Sequence, residues 1–110
     1  MSDLLHFDGL YHSRGRTMDT VTELQRIDQQ LDELLYQWGR LPDVAAAIDA
    51  WSILEQLEFT KEWPIQEDQL KVLADRIAAN SITERQRTRY AELTRVVDAN
   101  RPIIAQLLSA

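Results

Sequence analysis

Residues 24–38 read LQRIDQQLDELLYQW, and this stretch decides the fold. Its apolar residues recur at spacings of three, four, three and four, at Leu24, Ile27, Leu31, Leu34 and Trp38. On an α-helix this spacing places the five side chains along one seam, which other helices must cover. A free-standing coiled coil needs at least about three or four heptads, so we expect the cover to come largely from the same chain.

Four helices are predicted in total, because three more amphipathic stretches follow the first at short intervals. Thr20 and Glu23 match a capping box at the start of the first helix, and Gly39 can end it in the left-handed conformation. Short connections make consecutive helices antiparallel neighbours. The predicted fold class is therefore all-α, a four-helix up-down-up-down bundle. The first three helices are expected over residues 20–38, 43–59 and 64–79.

The sequence allows two starting positions for the last helix. It can begin at a capping box of Ser81 with Glu84 or at one of Thr83 with Gln86. Pro102 interrupts its apolar stripe, which resumes afterwards in the same phase. We therefore expect one continuous helix that is kinked near Pro102.

The first residues of the chain show no sustained apolar period. Gly9, Gly15 and the polar residues around them predict irregular chain over residues 1–16, followed by a single helical-bundle domain over residues 17–110. The N-terminus lacks the long apolar stretch of a signal peptide, and no apolar run approaches the length of a membrane span. The expected location is the cytoplasm.

The residue types that carry most catalytic chemistry are scarce in this chain. It has no cysteine and only two histidines, His6 and His12, which both lie in the segment predicted to be irregular. No serine has the setting of an activated nucleophile, and three scattered glycines cannot form a phosphate-binding loop. The sequence thus predicts a protein that is not an enzyme, with no catalytic residue, no metal ligand and no cofactor.

One acidic cluster keeps an enzymatic alternative open. Glu55, Glu58 and Glu62 follow each other at helical spacing. Carboxylates on inward helix faces hold divalent metals in some all-α enzymes, including nucleotide pyrophosphatases. A divalent-metal-dependent nucleotide hydrolase is therefore one alternative function, although a solvated acidic face explains the same pattern.

The charge of the chain is strongly uneven. The formal net charge is -6, which opposes binding to nucleic acid and to acidic membranes. Residues 76–110 nevertheless carry six arginines and three acids. A nucleic-acid-binding regulator that uses a face with Arg85, Arg89 and Arg95 is a second alternative, against which the acidic first three helices count.

The preferred hypothesis is a small acidic protein-interaction module without catalytic activity. It would serve as an adaptor, an inhibitor or an antitoxin-like neutralising partner, because an acidic surface can mask a basic one. The expected partner is a protein, and a second copy of the chain would make a homodimer. Nucleic acid and membrane are not expected as partners. The candidate contact residues are aromatic or basic: Tyr36, Trp38, Phe59, Trp63, Arg85 and Arg89.

Overall fold

The fold is all-helical in the computed structural model, which describes the backbone of residues 2–109 and the side chains of residues 21–109. The all-α class is confirmed, and no strand occurs in this part of the chain. The predicted four-helix bundle is corrected to three long helices and one short helix. They are α1 (Ser2–Gly39), α2 (Leu41–Ala47), α3 (Ile53–Ala79) and α4 (Glu84–Ser109), with a single 3-10 turn at Ile48–Ala50 between α2 and α3.

Helix α1 begins much earlier than the sequence pattern predicts. Its backbone is helical from Ser2, so Thr20 lies inside the helix and not at its N-cap. Helix from Ser2 onwards replaces the irregular chain that was predicted over residues 1–16. Gly9 and Gly15 each cost about 1 kcal/mol relative to alanine in a helix, but they keep the N–H groups that continue it. The side chains before residue 21 lie outside what the structure describes, so the domain boundary after residue 16 stays a prediction.

The predicted seam of α1 is confirmed as the centre of the core. Ile27, Leu31, Leu34 and Trp38 are all buried, and Leu24 packs against them. Helices α3 and α4 both pack on α1, and α2 packs on α4. The three later helices supply the remaining buried apolar side chains, which are Leu41, Val44, Trp63, Leu73, Leu93, Val97 and Ile104.

Hydrogen bonds between helices fix their directions. Gln30 of α1 donates to Gln69 of α3 and accepts from Arg76, both at 2.9 Å. Since Trp63 lies against Trp38, higher residue numbers in α3 meet lower ones in α1, and the two helices are antiparallel. Helix α4 runs parallel to α1, because its first turn contacts the turn of α1 after Leu24 and its later part reaches Trp38.

The second and third predicted helices, over residues 43–59 and 64–79, are replaced by a short α2 and a long α3. The chain leaves the helical conformation at Trp51 and Ser52, whose backbones are extended. Ser52 then starts α3 with a complete capping box, because its hydroxyl accepts from the Glu55 N–H at 3.2 Å and the Glu55 carboxylate accepts from the Ser52 N–H at 3.3 Å. The apolar residues keep a helical period across Trp51 and Ser52, so the sequence pattern does not show that the helix is interrupted there.

Two prolines lie inside long helices. Pro64, predicted to open a helix, is in the interior of α3, where it removes the N–H that would bond the Thr60 carbonyl. Both residues are exposed, so water can satisfy that carbonyl. Helix α4 likewise continues through Pro102, which confirms the predicted continuity of the last helix.

The junction between α1 and α2 is built around a third proline. Gly39 does not take the predicted left-handed conformation, because no described glycine has a positive φ, and Arg40 is also in the right-handed helical region. Pro42 cannot donate to the carbonyl four residues earlier, which belongs to Trp38. The buried Asn100 side chain donates to that carbonyl instead, at 2.9 Å. Asn100 therefore replaces the hydrogen bond that Pro42 removes.

A second buried polar side chain joins a helix cap to α1. The capping box of Thr83 with Gln86 is confirmed: the Gln86 N–H donates to the Thr83 hydroxyl and the Thr83 N–H donates to the Gln86 amide oxygen. The Gln86 amide nitrogen also donates to the Leu24 carbonyl at 2.9 Å and to Asp28 at 3.1 Å. One glutamine thus starts α4 and fixes its position on α1.

Substitution of Leu31 tests whether the seam is internal. We expect Leu31→Asp to abolish folding, since even Leu→Ala in a core costs about 2–5 kcal/mol and a buried carboxylate costs more. Gln29→Asp, on the exposed side of the same helix, should leave the circular dichroism and the melting temperature nearly unchanged. A folded monomer of Leu31→Asp would instead show that the seam joins subunits.

A double-mutant cycle tests the Pro42–Asn100 compensation. Asn100→Ala should lower the free energy of unfolding by about 1–3 kcal/mol, because it leaves the buried Trp38 carbonyl unpaired. In a Pro42→Ala background the restored N–H can reach that carbonyl, so the same substitution should cost clearly less. Urea denaturation of the four proteins measures the coupling. Equal costs in the two backgrounds would contradict the compensation.

Candidate interaction site

A row of four aromatic rings runs from the core to the surface near the start of α3. Trp38 and Trp63 are buried and meet edge to face, with centroids 5.0 Å apart. Phe59 follows at 5.6 Å from Trp63, and Trp51 lies 6.0 Å beyond Phe59. Phe59 and Trp51 are half-buried. The i, i+4 spacing of Phe59 and Trp63 places both rings on one side of α3.

The outer part of this row forms one wall of a cleft of about 280 Å³. The cleft lies between the end of α1 and the first turns of α3, with Gln37 from α1 and Arg40 from the junction that follows it. Its other walls are acidic, so the cleft combines ring surfaces with carboxylates. The aromatic and acidic residues around it are Trp51, Glu55, Glu58, Phe59, Glu62 and Trp63.

The charged groups of the cleft differ in their partners. Glu55 is engaged in the capping box of Ser52. Within residues 21–109, Glu58 and Glu62 have no ion pair. The guanidinium of Arg40 lies over the ring of Tyr36, 5.8 Å from its centroid. Two carboxylates therefore remain in the cleft without a cationic partner.

The predicted metal-binding alternative finds no geometric support here. Glu55, Glu58 and Glu62 line the same cleft, but the described side chains contain no group of three or more His, Cys, Asp or Glu placed to hold a metal ion. His6 and His12 lie outside the described side chains. The helical spacing brings the three glutamates to one side of α3 without directing them to a common point.

An apolar patch lies in the first turns of α3, where Leu54 stands at i, i+4 from Glu58 of the cleft. Ile53, Leu54 and Leu57, in the first two turns of α3, have 77%, 66% and 60% of their surface exposed. Ile65 and Val72 continue along the same outward side of α3 and are also exposed. We call Ile53, Leu54 and Leu57 the α3 patch. Their exposure follows from the capping box at Ser52, which sets the phase of the helix.

The candidate contact residues from the sequence fall into separate places. Tyr36 is exposed and Phe59 lines the cleft, so both remain accessible. Trp38 is buried, and Trp63 is accessible only through the wall of the cleft. Trp38 is therefore a core residue and is not available as a contact surface in this fold.

The two arginines of the candidate set lie on another part of the molecule. They are in the first turns of α4, where Arg85 is exposed and Arg89 forms an ion pair with Asp32 of α1. Neither lines the cleft. The predicted arginine face is therefore partly neutralised within the protein, since Arg89 is already paired.

Leu54 and Leu57 are the part of the α3 patch that sequence reasoning misses. Both fit the apolar stripe of the expected helix over residues 43–59, and that pattern places them on its covered side. The signal that separates them from it is Ser52 with Glu55, a capping box directly before the patch. A new helix at that point has its own phase, so the earlier stripe does not continue.

Comparison of the chain with protein-family models, with curated proteins and with solved structures finds no match. In the described part of the chain, no helix is both long enough and apolar enough to cross a membrane.

Fluorescence quenching tests the order of the tryptophans in the aromatic row. Trp51 is half-buried while Trp38 and Trp63 are buried, so Trp51→Phe should remove most of the emission that acrylamide quenches and shift the remainder to shorter wavelength. The urea-unfolded protein, in which all three indoles are accessible, is the control. An unchanged quenchable fraction would contradict the position of Trp51 at the outer end of the row.

Proposed function

We propose that this protein is a small acidic interaction module without catalytic activity, and that the start of α3 is its contact surface. The observation that carries the proposal is the α3 patch, three large apolar side chains exposed within five residues. Burying a leucine or isoleucine side chain contributes about 1.5–3 kcal/mol, so covering the patch adds favourable free energy to the binding of a partner. Contiguous exposed apolar surface with a polar rim is typical of protein-binding sites.

The rim of the α3 patch favours a basic partner. Asp49 lines a groove with Ile53 and Leu57, and Glu58 follows Leu54 at i, i+4. Lys61 follows Leu57 at the same spacing, so the rim carries two acids and one base on a protein of net charge -6. Complementary charge raises the association rate and disfavours wrong partners. An adaptor, an inhibitor or an antitoxin-like neutralising protein fits this surface. Two copies of the chain would bring like charges together, and we therefore favour a different protein over a homodimer.

The two other functions considered from the sequence gain less support. A nucleic-acid-binding face loses Arg89 to Asp32, and phosphate contacts from the remaining exposed arginines would face a protein of net charge -6. A nucleotide hydrolase would need a metal site, for which the described residues supply no cluster. The cytoplasm, as expected from the sequence, is part of the same proposal.

Substitution of the α3 patch tests the proposed contact. Leu54→Ser/Leu57→Ser should abolish co-purification of the natural partner from cells while changing the free energy of unfolding by less than about 0.5 kcal/mol per exposed site. Val21→Ser/Leu108→Ser removes two exposed apolar side chains outside α3 and is the matched control. Size-exclusion chromatography with light scattering gives the mass of each complex. A strict monomer that captures nothing, or a complex that survives the patch variant, would contradict the proposal.

A further inference from the structure

The cleft between α1 and α3 has the chemistry of a cation site. Trp51, Phe59 and Trp63 present ring surfaces on one side of it. The faces of aromatic rings carry negative electrostatic potential and attract ammonium and guanidinium groups, by about 0.5–1 kcal/mol at exposed sites and more where the cation is desolvated. Carboxylates beside such rings add attraction of the same sign.

The acids of the cleft are available for a cation from outside the protein. Glu58 and Glu62 stand at i, i+4 on α3, and neither has an ion pair among residues 21–109. Arg40, the one cation in the lining, is placed over the Tyr36 ring. In the described part of the chain, no cation forms an ion pair with the exposed carboxylates of Glu58 and Glu62.

The size of the cleft restricts the ligand. A volume of about 280 Å³ lies just below the range of small-molecule sites, roughly 300–1,000 Å³. One basic head group with part of its aliphatic stem fits such a volume. Since Leu54 of the patch stands one helical turn before Glu58 of the cleft, a protein that covers the patch can also supply the head group.

We infer that this cleft binds one lysine or arginine side chain of the partner that docks on the α3 patch. The cation lies against the rings of Trp51 and Phe59, with Glu58 and Glu62 balancing its charge. This inference rests on the proposed function and adds the partner's chemistry: a basic residue next to apolar residues on one surface.

The test uses amino-acid derivatives as probes and therefore needs no knowledge of the partner. The uniformly ¹⁵N-labelled full-length protein is titrated with N-acetyl-argininamide, with N-acetyl-lysinamide and with neutral N-acetyl-glutaminamide, while the three indole N–H signals are followed by NMR. The two cations should shift the Trp51 and Trp63 signals saturably with a Kd of roughly millimolar order, and the Trp38 signal much less. The relative affinities of the arginine and lysine probes identify the preferred head group.

Paired variants separate a local site from the overall charge. Glu58→Gln/Glu62→Gln should weaken cation binding about fivefold or more, because two carboxylates near the cation are neutralised. Glu92→Gln/Asp98→Asn removes the same two charges from exposed positions on α4 and should leave the affinity unchanged. Equal shifts with the neutral probe, no saturation, or equal affinity in both variants would each overturn the cation site.

The two proposals can fail separately. If the probes bind in the cleft but Leu54→Ser/Leu57→Ser retains the partner, the proposed docking surface is wrong while the cation site stands. If the patch variant loses the partner but no probe binds, the interaction surface stands and the cation site is wrong.

Discussion

The hydrogen bond from the Asn100 side chain to the Trp38 carbonyl is the interaction on which the arrangement of the helices depends. Pro42 removes the N–H that would otherwise satisfy this carbonyl, and the carbonyl lies where water does not reach. Leaving a buried carbonyl without a donor lowers the free energy of unfolding by about 1–3 kcal/mol. Asn100 supplies the donor from α4, so α1 can pass into α2 inside the core.

That junction determines what covers the seam of α1. Helices α3 and α4 flank α1 on two sides, and α2 packs on α4 beyond the end of α1. Gln86 fixes one end of α4 to α1 near Leu24, and Asn100 fixes the other end near Trp38. The seam is therefore closed within one chain by the long helices α3 and α4 together with the short α2, and the opposite side of α3 is left without a neighbour in the described part of the chain.

Leu54 of the α3 patch and Glu58 of the cleft stand at i, i+4 on the same helix. The capping box at Ser52 sets the phase of α3, which turns Leu54 and Leu57 outwards and Phe59 and Trp63 towards α1. Apolar side chains, carboxylates and aromatic rings then occur within three turns of one helix. The proposed protein contact with a cationic component rests on this combination.

The sequence by itself determined the seam from Leu24 to Trp38, the passage of the last helix through Pro102 and the acidic charge, and it limited the start of that helix to two possible capping boxes. These features depend on spacing and residue type within a few turns, which the chain order shows directly. Only the tertiary structure decided where α3 begins and which of its sides is covered. It also decided that the Asn100 side chain donates to the Trp38 carbonyl, 62 residues away in the sequence. The physical reason is that periodicity shows that a helix has an apolar side, whereas burial depends on which neighbours reach that side.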